Sequence, residues 1–180
     1  MTTILLARHG ETDWNFERRV QGHADRPLND TGRAQAHALA DGLDGETIDA
    51  IYSSDLVRAH ETARIVAALK GLEVTAVPGL REKHFGTWEG LTEEEVLARF
   101  PEARRGRWGD GETSEEMSRR VLETLRRIAE SHPDGRVLVV THGGPLRAVL
   151  LHCTSDHEGP IGNCQVVRIA VEEGAIRPVD

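Results

Sequence analysis

Short aliphatic runs alternate with longer amphipathic stretches along this chain, and two of the runs end alike. Ile4, Leu5, Leu6 and Ala7 lead into Arg8, His9 and Gly10; Val137, Leu138, Val139 and Val140 lead into Thr141, His142, Gly143 and Gly144. An apolar run of this length that stops abruptly predicts a buried parallel strand. Residues 48–52 and 73–77 read as further short strands. Ala36, Leu39, Ala40 and Leu43 share one face of a helix that starts at Asn29 and ends near Gly45. Val57, Ala59, Ala63, Ile65, Val66 and Leu69 mark another, with Asp55 expected as its N-cap and Gly71 as its stop. Thr92 with Glu95 and Thr113 with Glu116 are capping boxes, and the second opens a long helix with Met117, Val121, Leu125 and Ile128 on one face. Pro145 is expected at the first position of a helix through residues 146–151. Residues 165–171 and 175–179, around Glu173-Gly174, predict a closing hairpin.

Strands alternating with helices predict one α/β domain over residues 1–180, a three-layer α/β/α sandwich around a mostly parallel sheet. In such sheets ligands gather past the carboxyl ends of the strands, which brings His9 and His142 towards one site. The stretch 10–30, rich in Asn, Asp and Gly, reads as an irregular polar loop, and such loops inside compact domains are usually functional.

Composition narrows the chemistry. With 180 residues, 38% hydrophobic and 29% charged, the chain has a globular profile and can bury one substantial core. A net charge of -8 argues against a nucleic-acid partner. Cys153 and Cys164 are too few for a disulfide framework, and a reducing cytoplasm with both thiols buried is the expectation. With His152 and His157 nearby, their spacing matches no zinc pattern, so no metal or other cofactor is expected. No segment reads as a signal peptide or membrane span. A homodimer is the default expectation for oligomeric state.

A neutral imidazole at His9 can attack phosphorus and form a phosphoramidate that water later cleaves. Such chemistry needs cations on the nonbridging oxygens, and Arg8 adjoins His9. Both can serve one pocket only if the strand ends between them, a turn that Gly10 permits. Arg58, in the first turn of a helix, is a second candidate, although spacing alone leaves it equally a solvated helix arginine. His142, before Gly143-Gly144 at a strand-to-helix corner, is suited to hold an oxyanion together with backbone amides. A strand-end histidine also serves as an ordinary structural residue; the pairing and Arg8 favour chemistry. Glu82, beside His84 and Phe85, is placed for partial desolvation and proton transfer, though nothing local sets it apart from other glutamates.

The segment Arg8-His9-Gly10-Glu11-Thr12 with Asn15 resembles the RHGxTxxN signature of the histidine phosphatase superfamily, the phosphoglycerate mutase-like family. The resemblance continues in order through Gln21-Gly22 with Asp25, Pro27 and Leu28, through Ser53-Ser54-Asp55-Leu56-Val57-Arg58-Ala59, and through Leu80 to Gly90. It runs on through Gly111-Glu112-Thr113 and Val140-Thr141-His142-Gly143-Gly144 to Asn163-Cys164. It implies a phosphorylated His9, with Arg8, Arg58 and His142 around the phosphoryl group and Asn15 and the Gly143 amide as further donors. It implies Glu82 as proton donor and acceptor, Gln21 and Gly22 as substrate contacts, and no metal. The chain lacks the inserted segment, the long C-terminal tail and the ERHYG sequence typical of the mutases, so the resemblance is to the phosphatase branch.

The expected activity is hydrolysis of a small phosphorylated metabolite. The alternatives are mutase-type transfer with the same residues and, more remotely, an inactive binding module. Arg104, Arg105 and Arg107, beside Trp108, are either readers of a second anionic group on the substrate or a solvated basic loop.

Overall fold

The structure is a computed structural model, described over residues 1–105, 108–154 and 159–179. In chain order its elements are β1 Thr2–Arg8, α1 Asp13–Phe16, α2 Asp30–Gly42, β2 Ala50–Ser53, α3 Val57–Lys70 and β3 Val74–Ala76. They continue with α4 Glu93–Arg99, α5 Ser114–Ser131, β4 Arg136–Thr141, α6 Gly143–Thr154, β5 Val166–Glu172 and β6 Ala175–Pro178. The strands form one six-stranded sheet in the order β3-β2-β4-β1-β5-β6. β1, β4, β2 and β3 run parallel, and the β5–β6 hairpin adds an antiparallel margin. At the hairpin tip Glu173 and Gly174 have φ of 51° and 78°, the paired positive angles of a tight turn that matches strand twist.

Both central strands are covered on two faces. Ile4 and Leu6 of β1, with Val137 and Val139 of β4, share a core with Val121 and Leu125 of α5. Leu5 and Ala7, with Leu138 and Val140, share the other with α2 and α3. Successive side chains point to opposite faces, so a strand buried on both must be apolar at every position. That is why these runs show no alternation, and why they end where solvent returns. Each such Leu or Ile, fully buried, contributes about 1.5–3 kcal/mol.

Four local expectations need correction. Asp55 does not cap α3. Leu56 stands at the N-cap with no side-chain bond, and the helix's free amide at Val57 donates instead to Asp25 Oδ1 at 2.7 Å. Asp55 is drawn away by Arg81, which forks onto both its oxygens at 2.7 and 2.5 Å. Pro145 is third, not first, in α6, because the helix starts immediately at Gly143; any of the first four positions lacks an intrahelical N–H partner, so the proline costs no bond. The loop after β1 contains the one-turn α1. Thr12 and Asn15 close a capping box there, with asparagine in place of the usual Glu or Gln. The two thiols are partly rather than fully buried.

Candidate active site

Because β1 and β4 are parallel neighbours with Arg8 opposite Thr141, the residues that follow them meet. The His9 amide donates to the Thr141 carbonyl at 2.9 Å, and the His9 and His142 rings lie edge to face with centroids 5.1 Å apart. Both side chains are buried. His9 Nδ1 lies 2.6 Å from the Gly10 carbonyl oxygen. A carbonyl only accepts, so Nδ1 carries the proton and the lone pair rests on Nε2. Burial, reinforced by Arg58 and Arg8, holds the His9 pKa well below the ordinary 6.5, against the opposing Gly10 bond. The imidazole is therefore neutral and nucleophilic at Nε2. Its backbone is tied down from two sides: Asn163 Nδ2 donates to the His9 carbonyl at 3.0 Å, and Thr62 Oγ1 accepts from the Gly10 amide at 3.1 Å.

Arg58 is almost wholly buried, its Nη1 and Nη2 donating to the carbonyls of Ala24 at 2.9 Å and Gly22 at 2.7 Å. Arg8 donates from Nη1 to the Ile161 carbonyl at 2.5 Å. Among the described residues no carboxylate lies within ion-pair distance of either guanidinium. Their Nε atoms are buried without a partner, and so are both ring nitrogens of His142. Burial lowers Arg58 to about 10, still protonated at neutral pH. Burial, then Arg58 and His9, also holds His142 well below 6.5. Glu82 acts on both guanidiniums, and Asp25 and Glu89 on Arg58, only from beyond ion-pair distance, so burial of the charge is costly and unmet buried donors add to the cost. A tetrahedral dianion beside His9 Nε2 relieves both.

Glu82 stands at the edge of this corner. Its Oε2 accepts from the Gly144 amide in the first turn of α6 at 3.0 Å, and its Oε1 from the Lys83 amide at 2.8 Å. Its backbone carbonyl accepts from His23 Nε2 at 2.9 Å and Arg120 Nη2 at 3.3 Å. Gly143 supplies the first amide of α6, with Arg8 alongside. Asn15 Oδ1 is occupied by the Thr12 amide at 3.2 Å, which leaves the amide nitrogen as the end suited to an anion.

Gln21 and Gly22 are tied into the frame of the site. Gln21 Oε1 accepts from Thr12 Oγ1 at 2.9 Å, and the Gly22 carbonyl holds Arg58. Gly22 has φ of 53°, and a Cβ there would meet Glu89 Oε1 at 2.1 Å, so the close turn that brings its carbonyl to Arg58 needs glycine. Thr62 and Arg120 carried no sequence signal for this site, and Asp25 and Asn163 had only their places in the resemblance; each acts through a partner distant in sequence.

A cleft of about 790 Å³ opens outward from Arg8, Glu82 and Gly143, with Phe85, Trp108 and Met117 among its walls. His9, Arg58 and His142 lie outside its lining. Lys83, also on the wall, donates to the Trp108 carbonyl at 2.6 Å and Ser114 Oγ at 3.2 Å. Arg107 and the side chains of Arg104 and Arg105 lie outside the described residues, as does His157. Burial raises the Cys164 thiol to about 11, so it is no rival nucleophile at neutral pH. Among the described residues no group of three or more His, Cys, Asp or Glu is arranged to hold a metal ion, and no helix is long and apolar enough to cross a membrane.

A neutral imidazole under the influence of two guanidiniums that lack ion-pair partners among the described residues, at the carboxyl edge of a parallel sheet, fits a phosphoryl-handling class. The chain belongs to the histidine phosphatase superfamily (branch 1), whose family model matches residues 4–179. It is 44% identical over 157 residues to "Phosphoglycerate mutase-like protein 4" of Arabidopsis thaliana, covering 81% of this chain and 68% of that protein. It is 41% identical over 165 residues to "Metal-independent phosphoserine phosphatase" of the same plant, covering 86% of this chain and 69% of that protein. The solved structure of "Bacillus stearothermophilus YhfR" superposes with a TM-score of 0.91 at 34% identity, covering 99% of this chain and 95% of that one.

Proposed function

We propose that this protein is a metal-independent phosphomonoesterase that hydrolyses a small phosphorylated metabolite through a phosphohistidine at His9. The observation that supports the reading is the buried Arg58 and the half-buried Arg8, neither within ion-pair distance of a carboxylate among the described residues, both acting on a neutral His9 whose Nδ1 is held by the Gly10 carbonyl. Nε2 attacks phosphorus, the P–N bond forms and the ester P–O bond breaks. Glu82 is the group placed to give a proton to the departing oxygen. Arg8, Arg58 and His142, with the Gly143 amide and the Asn15 side-chain amide, hold the charge on the nonbridging oxygens. Water then attacks the phosphohistidine, Glu82 takes its proton, the P–N bond breaks and phosphate leaves. Gln21 and Gly22 border the substrate and also fix Thr12 and Arg58. The two free thiols suit a reducing, cytoplasmic setting.

His9→Ala is expected to abolish turnover. Brief exposure of the wild type to 32P-labelled substrate is expected to leave protein-bound label that is labile in acid and stable in base. Acid-stable label, as on serine, overturns the phosphohistidine. Isomerisation of 3-phosphoglycerate outpacing phosphate release overturns the choice of water as acceptor.

A further inference from the structure

Glu82 is carried on a stretch of chain that no strand or helix holds in place. Among the described residues, none of the carbonyls of Gly79, Leu80, Arg81 and Glu82 accepts from a backbone amide. Carbonyls in a half-buried stretch need donors, and here each is met by a side chain from elsewhere in the fold. Thr141 Oγ1, at the last position of β4 and next to His142, donates to Leu80 at 2.6 Å. Arg120 of α5 takes the other three: Nη1 donates to Gly79 at 3.0 Å and Arg81 at 2.9 Å, and Nη2 to Glu82 at 3.3 Å. His23 Nε2, from the loop between α1 and α2, meets the Glu82 carbonyl at 2.9 Å.

Arg120 is itself braced. Glu112 accepts from its Nε at 2.9 Å and its Nη2 at 2.7 Å, a two-point pair that fixes the plane of the fork and neutralises its charge. The adjoining Val121 and Leu125 bury α5 against the sheet, so the donor stands on a rigid element. Thr124 Oγ1 donates to the Arg120 carbonyl at 2.8 Å, and a Cβ on Gly79 would meet that same oxygen at 2.2 Å. The segment therefore runs against α5 at a distance that only glycine allows. Arg120 does not line the cleft.

We propose that Arg120, braced by Glu112, is the positioning residue for Glu82. The Gly144 amide aims the carboxyl group, and Arg120 fixes the backbone from which that group reaches the departing oxygen. A lysine at this position has a single ammonium in place of a planar fork and cannot span the three carbonyls and Glu112 together. This role rests on the reading of Glu82 as the proton-transfer group.

A double-mutant cycle read on two esters tests it. Arg120→Met is expected to lower kcat on glycerol 3-phosphate by about tenfold to a hundredfold, the scale of a misplacement of about 1 Å. On 4-nitrophenyl phosphate, whose leaving group needs no proton, the loss should stay below about threefold. With Glu82→Gln already in place, adding Arg120→Met should cost glycerol 3-phosphate less than about twofold, because the group through which Arg120 acts is already lost. Arg120→Lys should fall between wild type and Arg120→Met; if Arg120→Met does not fold, Arg120→Lys in the same two backgrounds decides. An unchanged kcat, equal losses on the two esters, or a loss undiminished in the Glu82→Gln background overturns the positioning role and leaves the phosphatase reading intact. Glu82→Gln as fast as the wild type on glycerol 3-phosphate overturns Glu82 as the acid, and the role of Arg120 with it.

Discussion

Gly144→Ala isolates the proton-transfer step from the rest of the site. A Cβ at position 144 would stand 2.1 Å from Glu82 Oε1 and 3.1 Å from its carboxyl carbon. Those atoms are the far end of a flexible side chain, so the carboxylate swings away while the backbone stays. Gly144 has no positive φ, and alanine favours a helix by about 1 kcal/mol over glycine, so the melting temperature should hold or rise slightly. Glu82 then loses the Gly144 amide at 3.0 Å, which orients it. General-acid catalysis contributes about 10²–10⁴-fold, so hydrolysis of an alkyl phosphate should fall by about 10²-fold, or about 2.7 kcal/mol of barrier. An aryl oxide departs without a proton, so 4-nitrophenyl phosphate should lose less than about threefold on the same account. Steady-state kcat on the two esters, with a thermal melt of the same preparation, reads this directly. Equal losses on both would mean that the methyl group disturbs phosphoryl binding. No loss on either would remove Glu82 as the acid.

What the sequence revealed follows from how locally each feature is caused. β1 and β4 were legible because double burial demands apolar residues throughout, and the α5 start because Thr113 and Glu116 answer each other within one turn. His9, Arg8 and His142 were legible because they adjoin strand ends. Arg58 could not be told from a solvated arginine until the fold brought the Gly22 and Ala24 carbonyls to it across more than thirty residues. The N-terminus of α3 was misread for the same reason. Asp55 is local and chemically suitable, but Arg81 competes for it, and Asp25 arrives from the preceding loop. Glu82 needed the resemblance, since its distinguishing partner, the Gly144 amide, is sixty-two residues away. Long-range polar contacts fix this site, and local patterning carries no record of them.

Phosphate and vanadate should stabilise the wild type, because an anion that binds only the folded state adds RT ln(1 + [L]/Kd), about 2.7 kcal/mol at a hundred times Kd. Arg58→Met should abolish that thermal shift, read by differential scanning fluorimetry; an undiminished shift would place the anion elsewhere. Stability should also depend on pH through the two buried histidines. Their folded pKa values lie well below 6.5, where burial and the arginines keep the rings neutral. Below pH 6.5 the unfolded chain takes up protons that the folded chain refuses, so stability is fully present above 6.5 and is lost as pH falls beneath it. In anion-free buffer, His142→Gln should flatten the decline in melting temperature between pH 6.5 and 5, since one refusing ring is gone. Bound phosphate should flatten it in part, because a dianion beside Arg8 and Arg58 offsets their contribution, while burial, the larger cause, stays. A decline equally steep in all three samples would mean that other groups set the acid limb, and that the two rings are protonated in the empty enzyme.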